Sequence, residues 1–333
     1  MLFLNTILYI FSFVYNRIDK NEKYLQAAKK IYDFLPKCGD ETGRMAFTVT
    51  REGKEIQKRR YYFSETFAAI GCAEYYYATG NIEAKEKAEM YFDVAYDIFS
   101  GKVKTPPKFN PETAAYKALS PAMIMLSTAQ VLRRINKEKY DAIAKASIVE
   151  IKAHWTEKGL LENVGLDNSF VDTPTGRIVN PGHSLECAWF LMAEGVYQND
   201  DTLKALGKDI IDISMKYGMN RGGIIAFCDC DGRPAQALEW DMKLWWPQNE
   251  AIIANRLCYE IFGEEKYLAD YKALVAYVFE YFADKEYGEW YGYLHYDNTP
   301  SNLLKGNIFK GPFHMPRMLA LIDLMDRGED ILL

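Results

Sequence analysis

Most of the chain repeats apolar residues at intervals of three and four positions, the spacing that places side chains on one face of an α-helix. The segments with this spacing run well past the usual length of a β-strand. They cover residues 22–36, 62–79, 82–99, 113–134, 138–152, 183–197, 200–217, 240–262, 265–282 and 314–327. The pattern therefore predicts a mainly helical protein.

Two kinds of helix alternate in this pattern. The segments 62–79, 183–197 and 240–262 carry aromatic and small residues on more than one face, which predicts helices that are buried on all sides. The segments 82–99 and 200–217 each have one charged face, which is typical of helices that cover a core from outside. The chain thus pairs inner helices with outer helices.

A connector recurs between the helix pairs and begins near residues 43, 159, 222 and 288. Each copy starts with glycine, continues as a short alternating apolar run and turns at Glu-Gly, Asp-Asn or Asp-Gly, which is typical of β-hairpins. With a degenerate copy near residue 101, the interval is about 60 residues, enough for one inner helix, one outer helix and a hairpin.

Helix pairs that bury an inner face against their neighbours close most naturally into a double-walled toroid. We therefore predict an all-α (α/α)6 barrel with short β-hairpins in the connectors, formed by residues 1–333 as a single domain. Counting back by the repeat interval places the first helical pair across residue 1 and predicts that its outer helix is missing. The apolar residues 1–15 have no basic leader or small-residue cleavage site and are too short to span a bilayer, so we interpret them as a buried helix.

The net charge indicates which class of partner the protein binds, and the cysteines indicate its redox compartment. A net charge of -6 without any lysine and arginine tract argues against a nucleic-acid surface and favours a small-molecule partner. We expect no membrane association. The six cysteines are scattered without a CxxC pair, which indicates reduced thiols and a cytoplasmic protein. The spacing of Cys228 and Cys230 does not match a zinc site, so we expect no metal.

Two of the four histidines lie in dense polar and aromatic surroundings, His183 in NPGHSLECAWF and His314 in KGPFHMPR. Each follows a Pro-Gly or Gly-Pro break and opens a predicted helix. The unperturbed pKa of histidine, about 6.5, suits proton transfer near neutral pH. The pair is therefore a candidate for acid-base catalysis, although an isolated histidine is often only a hydrogen-bonded structural residue.

In the predicted barrel, the starts of inner helices and the aromatic connectors surround one concave site. Aromatic faces with a few amides and charges are typical of a sugar-binding surface. Trp245 and Trp246 point about 100 degrees apart on a helix, so at most one of them is needed in the site. The site is predicted to collect His183, Glu186, Trp189, Trp245, Trp246, Gln248, Glu250, Trp290, Tyr291, Lys305, His314 and Arg317.

The chain resembles the N-acylglucosamine 2-epimerase (renin-binding protein) family in order, spacing and sequence. The resemblance is carried by RRYYFSETFAAIG, ENVGLDNSFVDTPTGRIVNPGH, PGHSLECAWFL, LEWDMKLWWPQNEAI, GEWYGYL and KGNIFKGPFHMPRMLAL. It implies an (α/α)6 barrel and an isomerase that interconverts N-acyl-D-glucosamine and N-acyl-D-mannosamine by two-base proton transfer at C2. It implies no required cofactor. The resemblance also implies ATP as a possible activator, since ATP activates some family members, but the chain has no P-loop motif for it. Because members of the family form dimers, the resemblance implies a homodimer.

The resemblance also assigns roles to residues. It implies that His314 and His183 are the two bases and that His314 acts on the C2 proton of N-acetylglucosamine. Glu186, one helical turn after His183, orients the imidazole or holds a sugar hydroxyl, and Glu250 matches a functional glutamate of the family. The residues expected to contact the substrate are Arg60, Trp246, Gln248, Trp189, Lys305 and Arg317.

The first inner helix departs from the family pattern. A Gln-Gly-Arg motif there supplies an arginine to the family's site, and Thr6 stands in its place in this chain. Arg60 either lines the site or pairs with Glu65. Besides a 2-epimerase, the sequence leaves open an aldose-ketose isomerase or another sugar epimerase of the same barrel, and a catalytically weakened member that binds sugar or protein. A glycoside hydrolase would need a carboxylate pair such as Glu186 and Glu250.

Overall fold

A computed structural model describes residues 2–58, 61–106, 110, 112 and 115–331, without the side chains of residues 2 and 3. Every segment that the apolar spacing assigned to a helix contains one, including the buried segment at the start. The helices are α1 (Leu2–Arg17), α2 (Glu22–Phe34), α3 (Phe63–Thr79), α4 (Ile82–Phe99), α5 (Leu119–Leu132), α6 (Lys137–Ala153), α7 (Pro181–Gln198), α8 (Asp201–Gly218), α9 (Trp245–Phe262), α10 (Glu265–Tyr281) and α11 (His314–Asp326).

The strands are short and pair two by two in antiparallel fashion. They are β1 (Thr48–Val49), β2 (Glu55–Gln57), β3 (Tyr116–Ala118), β4 (Trp155–Thr156), β5 (Gly159–Leu160), β6 (Asn163–Gly165), β7 (Ile178–Val179), β8 (Met219–Asn220), β9 (Gly223–Ile224), β10 (Cys228–Asp229), β11 (Met242–Leu244) and β12 (Tyr293–His295). The pairs β1 with β2, β4 with β5 and β8 with β9 are local hairpins. The pairs β3 with β6, β7 with β10 and β11 with β12 join strands that are distant in sequence.

These distant pairs correct two predicted helix boundaries. The segments 113–134 and 240–262 begin as the strands β3 and β11 and become helical only at Leu119 and Trp245. Their partners are β6 and β12, which lie in other connectors. Local apolar spacing carries no information about a strand partner so far along the chain, so the prediction was wrong there.

The four turns predicted inside the connectors are confirmed. Each contains a residue with left-handed backbone, at Gly53 (φ 96°), Asn168 (φ 70°), Gly232 (φ 75°) and Asn298 (φ 74°). Glycine and asparagine tolerate this conformation at the lowest steric cost, which explains why Glu-Gly, Asp-Asn and Asp-Gly mark these positions.

The chain divides into two compact units, Met1–Ala115 with Pro121–Ile148, and Tyr116–Ser120 with Val149–Leu333. In the first unit, α1 packs against α3. The amide of Asn5 donates to the carbonyl of Ser64 at 2.8 Å, and that of Asn16 donates to the carboxylate of Glu74 at 2.7 Å. Thr6 is buried in α1. That residues 1–333 form a single domain remains a prediction.

In the second unit, α7 packs against α8 and α9, and α9 also packs against α10 and α11. Helix α7 buries fourteen of its eighteen residues, whereas α8 buries six of eighteen, so the predicted distinction between inner and outer helices is confirmed for this pair. Among the described residues, no helix combines the length and apolarity needed to cross a bilayer.

Candidate active site

The first turn of α7 presents His183 at a fixed position. The side chain of Asn180 caps the helix and accepts a hydrogen bond from the backbone N–H of His183 at 3.1 Å. Pro181 occupies the first helical position, where its missing N–H costs nothing and its ring presets the backbone. Asparagine caps of this kind stabilise a helix by about 1 kcal/mol, so the NPGH sequence explains why the helix begins here.

Glu162 orients the imidazole of His183. Its Oε1 lies 2.8 Å from Nδ1 of His183. The backbone of Glu162 is held on both sides, because its N–H donates to Ile178 and its carbonyl accepts from Leu119, each at 3.0 Å. A carboxylate oxygen accepts hydrogen bonds, so this contact assigns the ring hydrogen to Nδ1 and the basic lone pair to Nε2.

A second histidine-carboxylate pair joins the first turn of α11 to α9. Nδ1 of His314 lies 2.7 Å from Oε1 of Glu250. Glu250 is fully buried, and its Oε2 accepts a hydrogen bond of 2.8 Å from the indole N–H of Trp189 on α7. Trp189 therefore holds the carboxylate that holds the imidazole.

Arg317 connects all three helices. Its Nη2 donates to Oε1 of Glu186 at 2.6 Å and to Oε1 of Glu250 at 2.7 Å. The guanidinium also lies over the rings of Phe313 and Trp189, at 4.5 and 5.2 Å from their centroids, an arrangement favourable for a cation. Its position beside His314 puts positive charge next to a proposed base.

The cluster keeps Glu250 ionised. Burial by itself raises the pKa of this carboxyl, but the charge of Arg317 and the hydrogen bonds from His314 and Trp189 outweigh burial and lower the pKa from 4.5 to about 2. Oxygen and nitrogen atoms of Glu186, Glu250 and His314 lie close enough together to bind a metal ion. The guanidinium of Arg317 already binds the carboxylates of Glu186 and Glu250. These two carboxylates are therefore better explained as partners of Arg317 than as ligands of a metal ion.

Trp246 lies beside both histidines. Its ring centroid is 5.1 Å from that of His183 and 5.5 Å from that of His314, and the ring planes are tilted by 39° and 37°. The side chain is half-buried, so one part of the ring is accessible. The indole is therefore a shared wall for both imidazoles.

Helical spacing explains which predicted residues meet. His183 with Glu186 and His314 with Arg317 lie three residues apart, and Trp246 with Glu250 lies four apart, so each pair shares a helix face. These residues and Trp189 form one cluster in the second unit.

Gln248 departs from the prediction of substrate contact. It lies two positions after Trp246 and so faces the other side of α9. It is fully buried, and its amide accepts from the N–H of Ile224 and donates to the carbonyls of Ile224 and Leu244, at 2.8 to 2.9 Å. The amide fixes the strand β9 against α9, and we assign it a structural role.

Lys305 is not in contact with the cluster in the structure. Its ammonium lies 2.5 Å from the carboxylate of Asp284 and 2.9 Å from the carbonyl of Gly288. Arg60 lies outside the described residues. The alternative partner considered for it, Glu65, accepts from Arg44 at 2.6 Å and from the N–H of Met45 at 2.9 Å.

Sequence reasoning missed Glu162. The residue lies within the segment LLENVG, but a single glutamate in a connector gives no signal, and its partner His183 is 21 residues away. The one usable clue was that a catalytic histidine needs a group to orient it.

Comparisons with known proteins show which family and which fold the chain is similar to. Residues 3–310 match the family model described as N-acylglucosamine 2-epimerase (GlcNAc 2-epimerase). The N-acylglucosamine 2-epimerases of Bos taurus and Homo sapiens are each 32% identical to the chain over 321 residues, which is 92% of this chain and 75% and 74% of theirs. The structure of cellobiose 2-epimerase from Bacillus thermoamylovorans B4167 superposes with a TM-score of 0.85 at 20% identity, over 98% of this chain and 87% of that one. This likeness confirms the predicted (α/α)6 fold class.

Proposed function

Because the chain belongs to the N-acylglucosamine 2-epimerase family of sugar 2-epimerases, we propose that it interconverts N-acyl-D-glucosamine and N-acyl-D-mannosamine. The observation that carries this proposal is the pair of imidazoles that both lie beside Trp246, each bound through Nδ1 to a carboxylate. Two bases that face a common space are what inversion at one carbon requires.

The reaction balances with these groups alone. In the open-chain sugar, Nε2 of one histidine removes the C2 proton, and the electron pair of the broken C–H bond forms a C1–C2 enolate with its negative charge on O1. The imidazolium of the other histidine returns a proton to the opposite face of C2. The oxidation level of the sugar does not change, so we propose that no redox cofactor takes part.

We assign His314 to the C2 proton of the gluco epimer and His183 to that of the manno epimer, following the family resemblance. Glu250 stabilises the imidazolium that His314 becomes, and Glu162 does the same for His183. Arg317, beside His314, adds the positive charge that favours the developing anion.

The electrostatics of the carboxylates argue against glycoside hydrolysis. A hydrolase needs one carboxyl that stays protonated near neutral pH and acts as a general acid. Arg317 binds both Glu186 and Glu250, and the pKa of Glu250 is lowered to about 2. Glu250 is therefore suited to stabilise a cation and not to donate a proton.

We further propose that the enzyme acts in cytoplasmic amino-sugar metabolism. All six cysteines are free thiols, which supports a reducing compartment, and the net charge of -6 suits a small sugar better than a nucleic acid. A homodimer and activation by ATP stay predictions from the resemblance.

The test is product analysis by NMR with N-acetylglucosamine in deuterated water. We expect N-acetylmannosamine labelled with deuterium at C2, because the returned proton comes from a base that exchanges with solvent. An aldose-ketose isomerase would instead need an aldose with a hydroxyl at C2, such as mannose, and would convert it to the ketose with label at C1. Absence of both product and C2 labelling, under conditions where a known N-acylglucosamine 2-epimerase reacts, would refute the proposed function.

A further inference from the structure

Gly182 lies in the first turn of α7, between the capping sequence and His183, and it is buried. Its φ is not positive, so the backbone does not require glycine at this position. In a helix, alanine is normally favoured over glycine by roughly 0.5–1 kcal/mol. The absence of a side chain here therefore has another cause.

The cause is the lack of room for a Cβ atom at this position. A Cβ on Gly182 would lie 2.6 Å from both Cη2 and Cζ3 of Trp246 and 2.8 Å from Cγ of Pro247. Carbon atoms in comfortable contact are about 3.5–4.0 Å apart, so the indole would have to move by roughly 1 Å. The atoms in question belong to the outer edge of a rigid ring, which cannot avoid the clash by a small rotation of a flexible tail.

The indole is in contact with both imidazoles. Its neighbours include the rings of His183 and His314, at centroid distances of 5.1 and 5.5 Å. The following residues of α9, including Pro247, are buried. A displaced Trp246 would therefore change the position of at least one imidazole.

We propose that Gly182 is a positioning residue for the epimerisation: by carrying no side chain, it seats Trp246 beside His183 and His314 and so sets the spacing of the two bases. This inference rests on the proposed function, because spacing matters only if both histidines act on one carbon. It gives the glycine of the PGH sequence a role separate from helix initiation.

The test compares Gly182→Ala with Gly195→Ala. Gly195 lies in the same helix and is equally crowded, but a Cβ there would meet Lys204 of α8 and Asp200, which caps that helix. We expect Gly182→Ala to lower kcat/KM by about 10- to 100-fold, since a misplacement of 1 Å in an active site can cost that much. Gly195→Ala should lower the unfolding midpoint and leave kcat within about twofold.

A second measurement distinguishes a changed spacing of the two catalytic bases from a general loss of folded protein. In deuterated water, Gly182→Ala should raise the ratio of C2 label in recovered substrate to label in product, because a proton is then returned more often by the base that removed it. A loss of folded enzyme alone would lower both signals together and leave their ratio unchanged.

Trp246→Phe provides a double-mutant cycle, since phenylalanine lacks the outer edge of the indole that the added Cβ would meet. Gly182→Ala should be costly with Trp246 present and nearly neutral in the Trp246→Phe background. The cycle is measured both in kcat/KM and in the unfolding midpoint, so it is informative even where the activity of Trp246→Phe is low.

Equal effects in the two backgrounds, or wild-type activity for Gly182→Ala, would overturn the inference. Failure of the wild type to label C2 would instead refute the proposed function.

Discussion

Nδ1 of His314 lies 2.7 Å from Oε1 of Glu250, a carboxylate that is fully buried. The contact orients the imidazole and leaves Nε2 as its basic nitrogen. Arg317 and Trp189 bind the same carboxylate and keep its charge favourable despite burial. The reactivity proposed for His314 thus depends on residues from three helices.

The buried charge of Glu250 should make stability depend on pH. Its pKa is about 2 in the folded protein and 4.5 in the reference state, so the folded state prefers the ionised form. The stabilisation is fully present above about pH 5 and is lost as the pH falls through 4.5 toward 2. We expect Glu250→Gln to lower the free energy of unfolding at pH 7 by about 3–5 kcal/mol, because Arg317 loses a buried partner.

Urea unfolding from pH 7 down to pH 3.5 measures this dependence. The difference in free energy between wild type and Glu250→Gln should shrink as the pH falls below about 5. Glu157→Gln, at an exposed position of the same unit, is the matched control and should show no such convergence. A difference that stays constant over this range would contradict the assignment of a buried, ionised Glu250.

Single substitutions of the two histidines should separate the half-reactions. We expect His314→Asn and His183→Asn each to reduce epimerisation by more than about 10³-fold, since one face of C2 then lacks its base. Each variant should still exchange the C2 proton of one epimer with solvent. His314→Asn should retain exchange with the manno epimer, and His183→Asn with the gluco epimer.

Deuterium incorporation followed by NMR for each pure epimer checks these roles. The reverse pattern would keep the two-base chemistry and exchange the assignments of the histidines. Loss of exchange for both epimers in a folded variant would show that the histidines do not act independently.

Glu162 should matter for catalysis more than for folding. Glu162→Gln can still contact Nδ1 of His183, but it removes the charge that stabilises the imidazolium. Substitution of a group that orients a catalytic residue commonly costs 10- to 100-fold, and we expect a fall of about that size in kcat. Thermal stability should change little, because the amide can keep its contact with Nδ1.

Steady-state kinetics and thermal unfolding measure these two effects, with Glu157→Gln as an exposed control in the same connector region. An unchanged kcat together with a fall in thermal stability would indicate that Glu162 is only structural.

Lys243 should give the protein a second pH dependence, at alkaline pH. It is fully buried in β11, and its ammonium contacts the carbonyl of Tyr296 at 3.1 Å and the amide oxygen of Asn298 at 2.5 Å. Burial, with the nearby charge of Arg221, lowers its pKa from 10.5 to about 8. Because the unfolded chain binds more protons between these values, this group makes stability rise as the pH rises from about 8 to 10.5.

The comparison with Lys243→Met isolates this contribution, since other groups that titrate in the range are common to both proteins. Chemical denaturation should show that wild type gains stability relative to Lys243→Met from pH 8 to pH 10. A constant difference would mean that the lysine keeps its ordinary pKa.

The sequence predicted the helices because their apolar spacing is a local property. The Asp-Asn and Glu-Gly turns were equally predictable, since left-handed backbone favours these residues. The boundaries at Leu119 and Trp245 were not, because β3 and β11 form only where distant partners supply their hydrogen bonds.

The same division holds within the site. The sequence by itself determined the two histidines, the pairs that share a helix face, and the family. Only the tertiary structure decided that Glu162 holds His183, that Gln248 binds the backbone of Ile224, and that Gly182 lies against the indole of Trp246. These relationships join segments tens of residues apart, so they arise from how helices pack against one another and not from the spacing along any one of them.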